Sequence, residues 1–508
     1  MRFERNGNRS LNNPLDCPHT VKAKFPQLFG ELLGISNVRA NARRSVEEVI
    51  SYALEVARRG GSIAVIAPPG YGKTMQAAKI LSLEQRFLYA ARTHLELDLF
   101  LSYHRGFGGL PAVRAAGREA VCYKRQEGDP VPFEKFCWLM RSSARCDERV
   151  TGDRVRIAYK AQMQGLEAVR VEAGRIGACL YPSLRVLASK ATRLALTYSY
   201  AISARDVVER ERLRVFDEYH TIASLYSEAF IELTPAKVEE LARMVRSYAR
   251  EKGFEELYRA SYLLRRVRSP SELSSASNEI LGSLGGDSPP FAEILSHIAS
   301  SCPKKCFKLG STVYVARGPY PFTDIPGSIY LSTTPMPVLK KSEVISIDPP
   351  SPIARVEVIT GLSTEYRVRG EELYSELART VSDIVRSHRG RAFIVYQSRE
   401  VMRGVSPRIE DKHGIIEDVA GGSLTEGIDI EHSLMILVGA PYPSEGPEVE
   451  ALTRLAGVNG YEEVARARAI QAIGRAVRAG ARIVAIDSRF PKLLSSIPWI
   501  EIFQYPPH

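Results

Sequence analysis

Short apolar runs recur along the chain and are separated by stretches long enough to form helices. The first run covers residues 61–67 and ends in Pro68-Pro69-Gly70, which predicts a buried strand followed by a turn. Comparable runs lie at residues 194–198, 213–216, 328–332, 392–396, 434–438 and 483–486. Because strands that alternate with helices form parallel sheets covered on both faces, this pattern predicts an α/β fold.

Two stretches interrupt the alternation. Residues 101–182 are rich in Arg, contain four of the seven cysteines and show no strand repeat. Residues 221–307 predict helices, and the clearest of these has Thr234 as its N-cap and stops at Gly253. Residues 269–290 are rich in Ser, Gly and Pro, which predicts a loop or a fold boundary. The pattern therefore indicates two inserts within the α/β fold.

Composition narrows the class of protein. The 508 residues are 44% apolar and 25% charged, which is typical of a soluble globular protein with two or more domains. Lys and Arg outnumber Asp and Glu by 69 to 58, which favours a polyanionic partner. The sequence shows no signal peptide and no apolar run that could span a bilayer, so we expect a cytoplasmic protein, nucleoid-associated if prokaryotic, with no membrane partner.

The turn after the first predicted strand has the composition of a phosphate-binding loop. Its glycines leave backbone N–H groups free to surround phosphates, Lys73 can reach the terminal phosphates, and the Thr74 hydroxyl can bind Mg²⁺. The alternative is a strand, turn and helix with an incidental lysine. The predicted nucleotide-binding residues of this loop are Pro68, Pro69, Gly70, Tyr71, Gly72, Lys73 and Thr74.

An acidic pair follows the predicted strand at residues 213–216. Asp217 would hold Mg²⁺, and Glu218 would orient and polarise the attacking water, because phosphoryl transfer depends mainly on positioning and charge stabilisation. Acidic pairs are also common on protein surfaces, and it is the preceding apolar strand that favours the catalytic interpretation.

A predicted helix far along the chain carries two arginines one turn apart. Arg475 and Arg478 share a helix face and could meet the charge that develops on a transferred phosphate. The alternative is a solvated basic face. Arginines supplied by a second domain would make hydrolysis depend on closure of the cleft between the domains, as a motor protein requires.

Together these residues resemble the motifs of superfamily 2 helicases, and further segments are similar to the XPD branch of iron–sulfur DNA helicases. Order and spacing agree over residues 38–490, nearly the whole chain. The further segments are residues 38–42, 91–94, 331–337, 421–429 and 439–443.

The resemblance implies roles for residues beyond the phosphate loop. It implies that Arg92, Thr93 and His94 contact DNA, that Gln471 joins the catalytic set, and that ATP and Mg²⁺ are bound. It also places Arg39 and Asp429 at the nucleotide.

Four cysteines lie between the 91–94 segment and the acidic pair: Cys122, Cys137, Cys146 and Cys179, separated by 14, 8 and 32 residues. Their spacing alone leaves an iron–sulfur cluster, zinc and reduced structural thiols open. The resemblance implies a 4Fe-4S cluster, although the second gap is longer than in the family. The other cysteines, Cys17, Cys302 and Cys306, are interpreted as structural, with the last two able to share a helix face.

Basic and aromatic residues are interleaved with these cysteines. Such a pattern is typical of single-strand binding, where cations follow the backbone and rings stack on bases; a solvated basic surface is the alternative. The residues are Arg114, Arg118, Lys124, Arg125, Lys135, Arg141, Arg145, Arg149, Arg154 and Arg156, with Tyr123, Phe133, Phe136 and Trp138.

These observations predict two RecA-like P-loop motor domains, with an iron–sulfur insert and a helical arch insert in the first. The expected divisions are residues 1–100, 186–225 and 308–340 for the first motor domain, 101–185 for the iron–sulfur domain, 226–307 for the arch and 341–508 for the second motor domain.

The predicted function is that of an ATP-dependent DNA helicase. By resemblance it moves 5′ to 3′ on single-stranded DNA, unwinds duplex or forked DNA, and acts in nucleotide excision repair with repair-complex proteins. Three positions differ from the family pattern: Ala42, Tyr219 and Pro335. They would suit a translocase or remodelling factor that does not unwind. A DNA-damage-binding scaffold with a vestigial ATPase is a further alternative.

Overall fold

The computed structural model describes residues 46–506 except 126–132, 134–135, 138–139, 141–144, 211–212, 223–229, 285–288, 303–304, 317–321, 348, 350–351, 411 and 423–430. The strands in this part of the chain form three sheets. In chain order they are β1 (Ser62–Ile66), β2 (Phe87–Ala91), β3 (Val113–Ala115), β4 (Arg193–Thr197), β5 (Arg214–Phe216), β6 (Phe230–Leu233), β7 (Cys306–Leu309), β8 (Thr312–Ala316), β9 (Ser328–Ser332), β10 (Glu343–Ser346), β11 (Ala354–Ile359), β12 (Ala392–Tyr396), β13 (Ile415–Val419), β14 (Leu434–Val438), β15 (Arg482–Ile486) and β16 (Ile500–Tyr505).

Helices connect the strands and cover the sheets. They are α1 (Val46–Arg58), α2 (Lys73–Leu81), α3 (His94–Gly106), α4 (Gly152–Gln162), α5 (Leu166–Ile176), α6 (Tyr181–Lys190), α7 (Tyr198–Ser203), α8 (Arg205–Arg210), α9 (Pro235–Lys252), α10 (Glu255–Arg266), α11 (Pro270–Gly282), α12 (Pro290–Ser301), α13 (Glu371–Arg386), α14 (Arg399–Val405), α15 (Pro447–Glu450), α16 (Gly460–Ala479) and α17 (Phe490–Leu494). Within the described ranges, no helix is long and apolar enough to cross a membrane.

The first large sheet has seven parallel strands in the order β10-β1-β9-β5-β2-β4-β3. Strands β1, β2 and β9 are almost entirely buried, because helices cover both faces of the sheet. The carboxyl ends of parallel strands share one edge, so the loops after β1, β5 and β9 meet there. We call this sheet and its helices the first unit.

The second large sheet has six parallel strands in the order β13-β12-β14-β15-β11-β16. Helix α16 packs on this sheet through Ala465, Ala469 and Ile473. We call this sheet and its helices the second unit. The two parallel sheets with their helices confirm the predicted α/β class.

The division between the units lies later than residue 340, where we expected it. Strand β10 pairs in parallel with β1 and so belongs to the first unit. It is an edge strand in which only Ile345 is buried, so its apolar pattern is too weak to be recognised in the sequence.

Both inserts also have limits that differ from the expected ones. Helix α3 and strand β3 belong to the first unit, so the cysteine-containing insert begins after Ala115 rather than at residue 101. Its core is small and consists of Ala116, Val121, Ala158, Ala161, Val169, Ala173, Leu180 and Leu184.

The helical insert contains an antiparallel sheet, β6-β8-β7, that packs against helices α9 to α12. It therefore extends to Ala316 rather than 307. The Ser-, Gly- and Pro-rich segment is largely helix α11, because Ser269 caps it and Pro270 takes its first turn. Cys302 and Cys306 are joined by a disulfide between the end of α12 and the start of β7, so they do not share a helix face.

Candidate functional site

The loop between β1 and α2 carries the predicted phosphate-binding residues. Gly70 and Gly72 have φ values of 79° and 72°, a conformation that side chains with a Cβ rarely adopt. Lys73 is 5% exposed and its ammonium donates to the carbonyls of Ala67 (2.9 Å) and Pro68 (3.1 Å). Burial lowers the pKa of Lys73, and the nearby carboxylates of Glu218 and Asp217 oppose that effect. The ammonium thus lies inside its own loop, where an anionic phosphate can compete with two neutral carbonyls.

Asp217 follows β5 and lies next to Thr74. The Thr74 hydroxyl donates to Asp217 Oδ2 at 2.6 Å, and the Tyr89 hydroxyl donates to the same oxygen at 2.5 Å. The Tyr198 hydroxyl donates to the Asp217 carbonyl at 2.6 Å. Burial, followed by the charge of Glu218, raises the pKa of Asp217. A buried carboxylate beside a hydroxyl is a suitable ligand pair for Mg²⁺, whose charge would stabilise the ionised form.

Within the described ranges, Glu218 is one of three non-glycine residues with positive φ, at 50°. Its amide donates to Asp217 Oδ1 at 2.9 Å, which fixes the turn. Such strained backbone persists where the surroundings enforce it, and it concentrates at functional sites. The turn directs the two adjacent carboxylates to different neighbours, Asp217 to Thr74 and Glu218 to His220, whose Nε2 lies 3.3 Å from Glu218 Oε2.

His220 connects the acidic pair to the loop after β9. Its side chain is 4% exposed, and burial, followed by the charge of Lys73, lowers its pKa to about 3, so it is neutral at physiological pH. Its Nδ1 lies 3.2 Å from Ser332 Oγ. A neutral ring carries one N–H, and with that proton on Nε2, the nitrogen nearer Glu218, Nδ1 can accept from the Ser332 hydroxyl.

The predicted DNA-contacting residues Arg92, Thr93 and His94 lie at the start of α3. Thr93 is the N-cap: its hydroxyl accepts from the Glu96 amide, while Glu96 Oε2 accepts from the amides of Arg92 and Thr93, both at 2.9 Å. Burial, followed by the charge of Arg114, lowers the pKa of His94 to about 4, so His94 is neutral. Thr93 therefore has a structural role as a cap, and the DNA contacts of these three residues stay a prediction.

Glu96 is a further acidic residue at this site. Burial raises its pKa to about 7, and the charge of Glu218 adds to the effect. A carboxyl group with a higher pKa in the folded state is destabilised by ionisation, so its contribution to the free energy of unfolding falls as the pH rises from 4.5 to about 7. The loss should be about 2–3 kcal/mol.

We expect Glu96→Gln to remove this pH dependence, because the amide oxygen of Gln can still accept from both backbone amides. The difference in Tm between Glu96→Gln and wild type should become more positive by a few degrees between pH 4.5 and pH 8. Thermal unfolding of both proteins across this range measures it. A difference in Tm that does not change with pH would contradict the raised pKa.

Helix α16 brings the second unit against the phosphate loop. A Cβ on Gly474 would lie 3.0 Å from Pro69 Cγ, a tight contact, so the backbone of α16 approaches the loop closely at this glycine. The charge of Arg478 contributes to lowering the pKa of Lys73, which places the two cations near one another. Gln471, Arg475 and Arg478 follow a spacing of four and three residues, so they share one helix face with Gly474 nearby. Gly474 and Arg478 of the second unit therefore lie near the phosphate loop, whereas the roles of Gln471 and Arg475 stay a prediction. Arg39 and Asp429 lie outside the described residues.

Two of the four cysteines of the insert come together with Glu148. One ligand atom from each of Cys146, Cys179 and Glu148 lies within 4.8 Å of the others. Burial raises the pKa of Cys146; its hydrogen bond with Cys179 opposes this effect, while Cys122 and Cys137 act on it electrostatically. All four thiols are half-buried and none forms a disulfide. Four thiolates would fit an iron–sulfur cluster or zinc, and Cys146, despite its unusual spacing, lies next to Cys179.

Sequence reasoning did not identify Tyr89, Tyr198 or Glu96. Tyr89 lies 128 residues from Asp217 and Tyr198 lies 19 residues from it, although both hydroxyls donate to that residue. Glu96 has a local role in capping its helix, which conceals its place at the site. A tyrosine hydroxyl within an otherwise apolar strand is a signal that could have indicated Tyr89, because a buried hydroxyl needs a partner.

The sequence matches no protein-family model and no curated protein. Among solved structures, the chain is similar to an XPD helicase, with 18% identity, a TM-score of 0.60 and coverage of 92% of this chain and 100% of that one. It is also similar to Xpd4 of S. tokodaii (15% identity, TM-score 0.54, 91% and 100% coverage) and to an apo form of XPD (16%, 0.51, 90% and 100%). The resemblance seen in the sequence motifs is therefore confirmed at the level of structure: the chain has the fold of the XPD helicases, with two RecA-like units.

Proposed function

We propose that this protein is an ATP-dependent DNA helicase that moves 5′ to 3′ along single-stranded DNA and opens duplex DNA, with a role in nucleotide excision repair. The observation that carries the proposal is the close approach of α16 to the phosphate loop, through Gly474 and Pro69. A nucleotide site built from two units changes shape when it binds and releases ATP. That change can drive stepping along a polymer.

Each residue at this site has a separate role in ATP hydrolysis. Lys73 binds the terminal phosphates, and Thr74 with Asp217 holds Mg²⁺. Glu218 orients the attacking water and takes up its proton. Arg475 and Arg478 stabilise the charge on the transferred phosphate when the units close. This assignment is supported by the 2.6 Å contact between Thr74 and Asp217.

We further propose that Cys122, Cys137, Cys146 and Cys179 hold a 4Fe-4S cluster. The proposal is supported by the close approach of the Cys146 and Cys179 thiols and by the electrostatic effect of Cys122 and Cys137 on Cys146. The bound cluster would supply a rigid cross-link for an insert whose own core is small. Basic and aromatic residues of the insert, including Arg118 and Tyr123, would then face single-stranded DNA at a fixed position.

Arg478→Ala should lower the kcat of ATP hydrolysis by about 100- to 1000-fold, because it removes charge stabilisation from the transition state. The KM for ATP should change much less. Steady-state ATPase assays with single-stranded DNA measure both constants. Arg482→Ala is the matched control, since Arg482 is an exposed arginine of the second unit that pairs with Glu357. Equal rates for Arg478→Ala and the control would contradict the role of Arg478.

The same assays separate the proposed function from its alternatives. ATP turnover that single-stranded DNA stimulates, together with strand separation, supports the helicase. Turnover without strand separation would instead support a translocase. Tight DNA binding without turnover would support a scaffold.

A further inference from the structure

Trp499 makes a buried hydrogen bond between the two units. It lies in the loop between α17 and β16 and is 1% exposed. Its indole Nε1–H donates to the carbonyl of Thr333 at 3.1 Å. Thr333 is in the loop directly after β9, at the carboxyl edge of the first sheet. The bond therefore joins the second unit to the edge where the acidic pair lies.

Trp499 is firmly fixed to the second unit. Its side chain belongs to the core of that unit, with Val356, Leu493 and Ile497. Its carbonyl accepts from the amides of Ile353 (3.1 Å) and Ala354 (3.2 Å), where the chain enters β11 after leaving the first unit. The indole ring thus lies where the chain passes from the first unit to the second, and its N–H donates to the first unit.

The acceptor of this bond is connected to the acidic pair. Thr333 Oγ1 lies 3.5 Å from His220 Nε2, and the same Nε2 lies 3.3 Å from Glu218 Oε2. Ser332, the neighbour of Thr333, lies 3.2 Å from His220 Nδ1. The end of β9 and the residue after it therefore contact both ring nitrogens of His220, and Trp499 binds that residue, Thr333.

We infer that Trp499 is a positioning residue through which the closed arrangement of the two units aligns Glu218. The inference rests on the proposed ATPase function. When the units separate, the indole N–H loses the Thr333 carbonyl, and a buried indole N–H needs such a partner. The loop after β9 is then no longer held by the second unit, and His220 loses the support of that loop. Glu218 is aligned for catalysis only while the bond is made.

Trp499→Phe tests the inference, because it keeps an aromatic ring in the core and removes the N–H. We expect kcat for ATP hydrolysis in the presence of single-stranded DNA to fall about tenfold, the effect of losing one hydrogen bond, with KM for ATP changing less than about twofold. A merely structural role would not separate kcat from KM in this way. The matched control is Phe393→Leu, a buried aromatic in the same core, which should leave kcat within about twofold.

Two further measurements keep the test decisive. Incorporating benzothienylalanine at position 499 retains the shape of the indole and lacks only its N–H, so it should reproduce the loss in kcat even if Trp499→Phe folds poorly. The chain has two tryptophans, and the emission spectrum of wild type minus that of Trp499→Phe reports Trp499 alone. Adding MgADP with aluminium fluoride should shift this difference spectrum as the units close.

The outcomes distinguish this inference from the proposed function. An unchanged kcat with benzothienylalanine, or an equal loss in Phe393→Leu, would overturn the positioning role while leaving the ATPase intact. Absence of ATP turnover in wild type would overturn the proposed function and the inference together.

Discussion

Lys73→Ala should lower ATP turnover by about 100- to 1000-fold and abolish strand separation. Lys73 is the buried cation of the phosphate loop, and its ammonium lies between the carbonyls of Ala67 and Pro68. Alanine cannot bind the terminal phosphates, so both nucleotide affinity and stabilisation of the transferred phosphate are lost. Burial lowers the pKa of Lys73, which means that the folded state bears a cost for this charge. The variant should therefore fold, with a Tm close to that of wild type.

Lys79→Ala is the control for this prediction. Lys79 lies on the same helix, α2, but is exposed and pairs with Glu47. Its loss should leave kcat within about twofold, because exposed ion pairs contribute little and Lys79 does not face the loop. Measurement of kcat and KM by coupled ATPase assay, with circular dichroism to check folding, compares the two variants. Substantial turnover by a folded Lys73→Ala would show that the phosphate site lies elsewhere.

Cys179→Ser should reduce the iron content from about four atoms per chain to less than one, after anaerobic purification. A serine hydroxyl is a poor substitute for a thiolate, and Cys179 lies next to Cys146 and Glu148. Loss of the metal also removes the cross-link of an insert in which half of the eight core residues are alanine. We expect the insert to become sensitive to protease and strand separation to fall by at least about tenfold, while ATP turnover without DNA is retained.

The double variant Cys302→Ser with Cys306→Ser is the control. These cysteines form a disulfide in the other insert, so their loss should leave iron and acid-labile sulfide unchanged. Iron and sulfide analysis together with the visible absorption spectrum measures the outcome. Stoichiometric zinc without iron in wild type would contradict the cluster and indicate a structural zinc site.

The strands that the sequence reveals best are those in the middle of the sheets. Strand β12, β14 and β15 appear as plain apolar runs because helices cover both faces of the sheet. Edge strands such as β13 and β10 are only half-buried, and their mixed composition conceals them. The boundaries between the units fall at such edge strands, which is why the predicted boundaries differ from those in the structure.

The candidate site divides in a similar way. Lys73, Thr74 and Asp217 were predicted because their role depends on local motifs at the ends of apolar strands. Residues that support them could not be found in this way, since Tyr89 meets Asp217 across 128 residues and Trp499 meets Thr333 across 166. Only the folded sheet order brings these pairs together.

Strand separation on forked DNA tests the central claim most directly. The fork carries a single-stranded 5′ tail, a fluorophore and a quencher at the junction, and a trap strand that prevents reannealing. We predict that wild type separates the strands of this fork in an ATP-dependent reaction and that Lys73→Ala does not. Separation by wild type should be much slower on a control fork that has only a 3′ tail. Turnover of ATP without separation of either fork would contradict a helicase, and faster separation of the 3′-tailed fork would contradict the proposed direction.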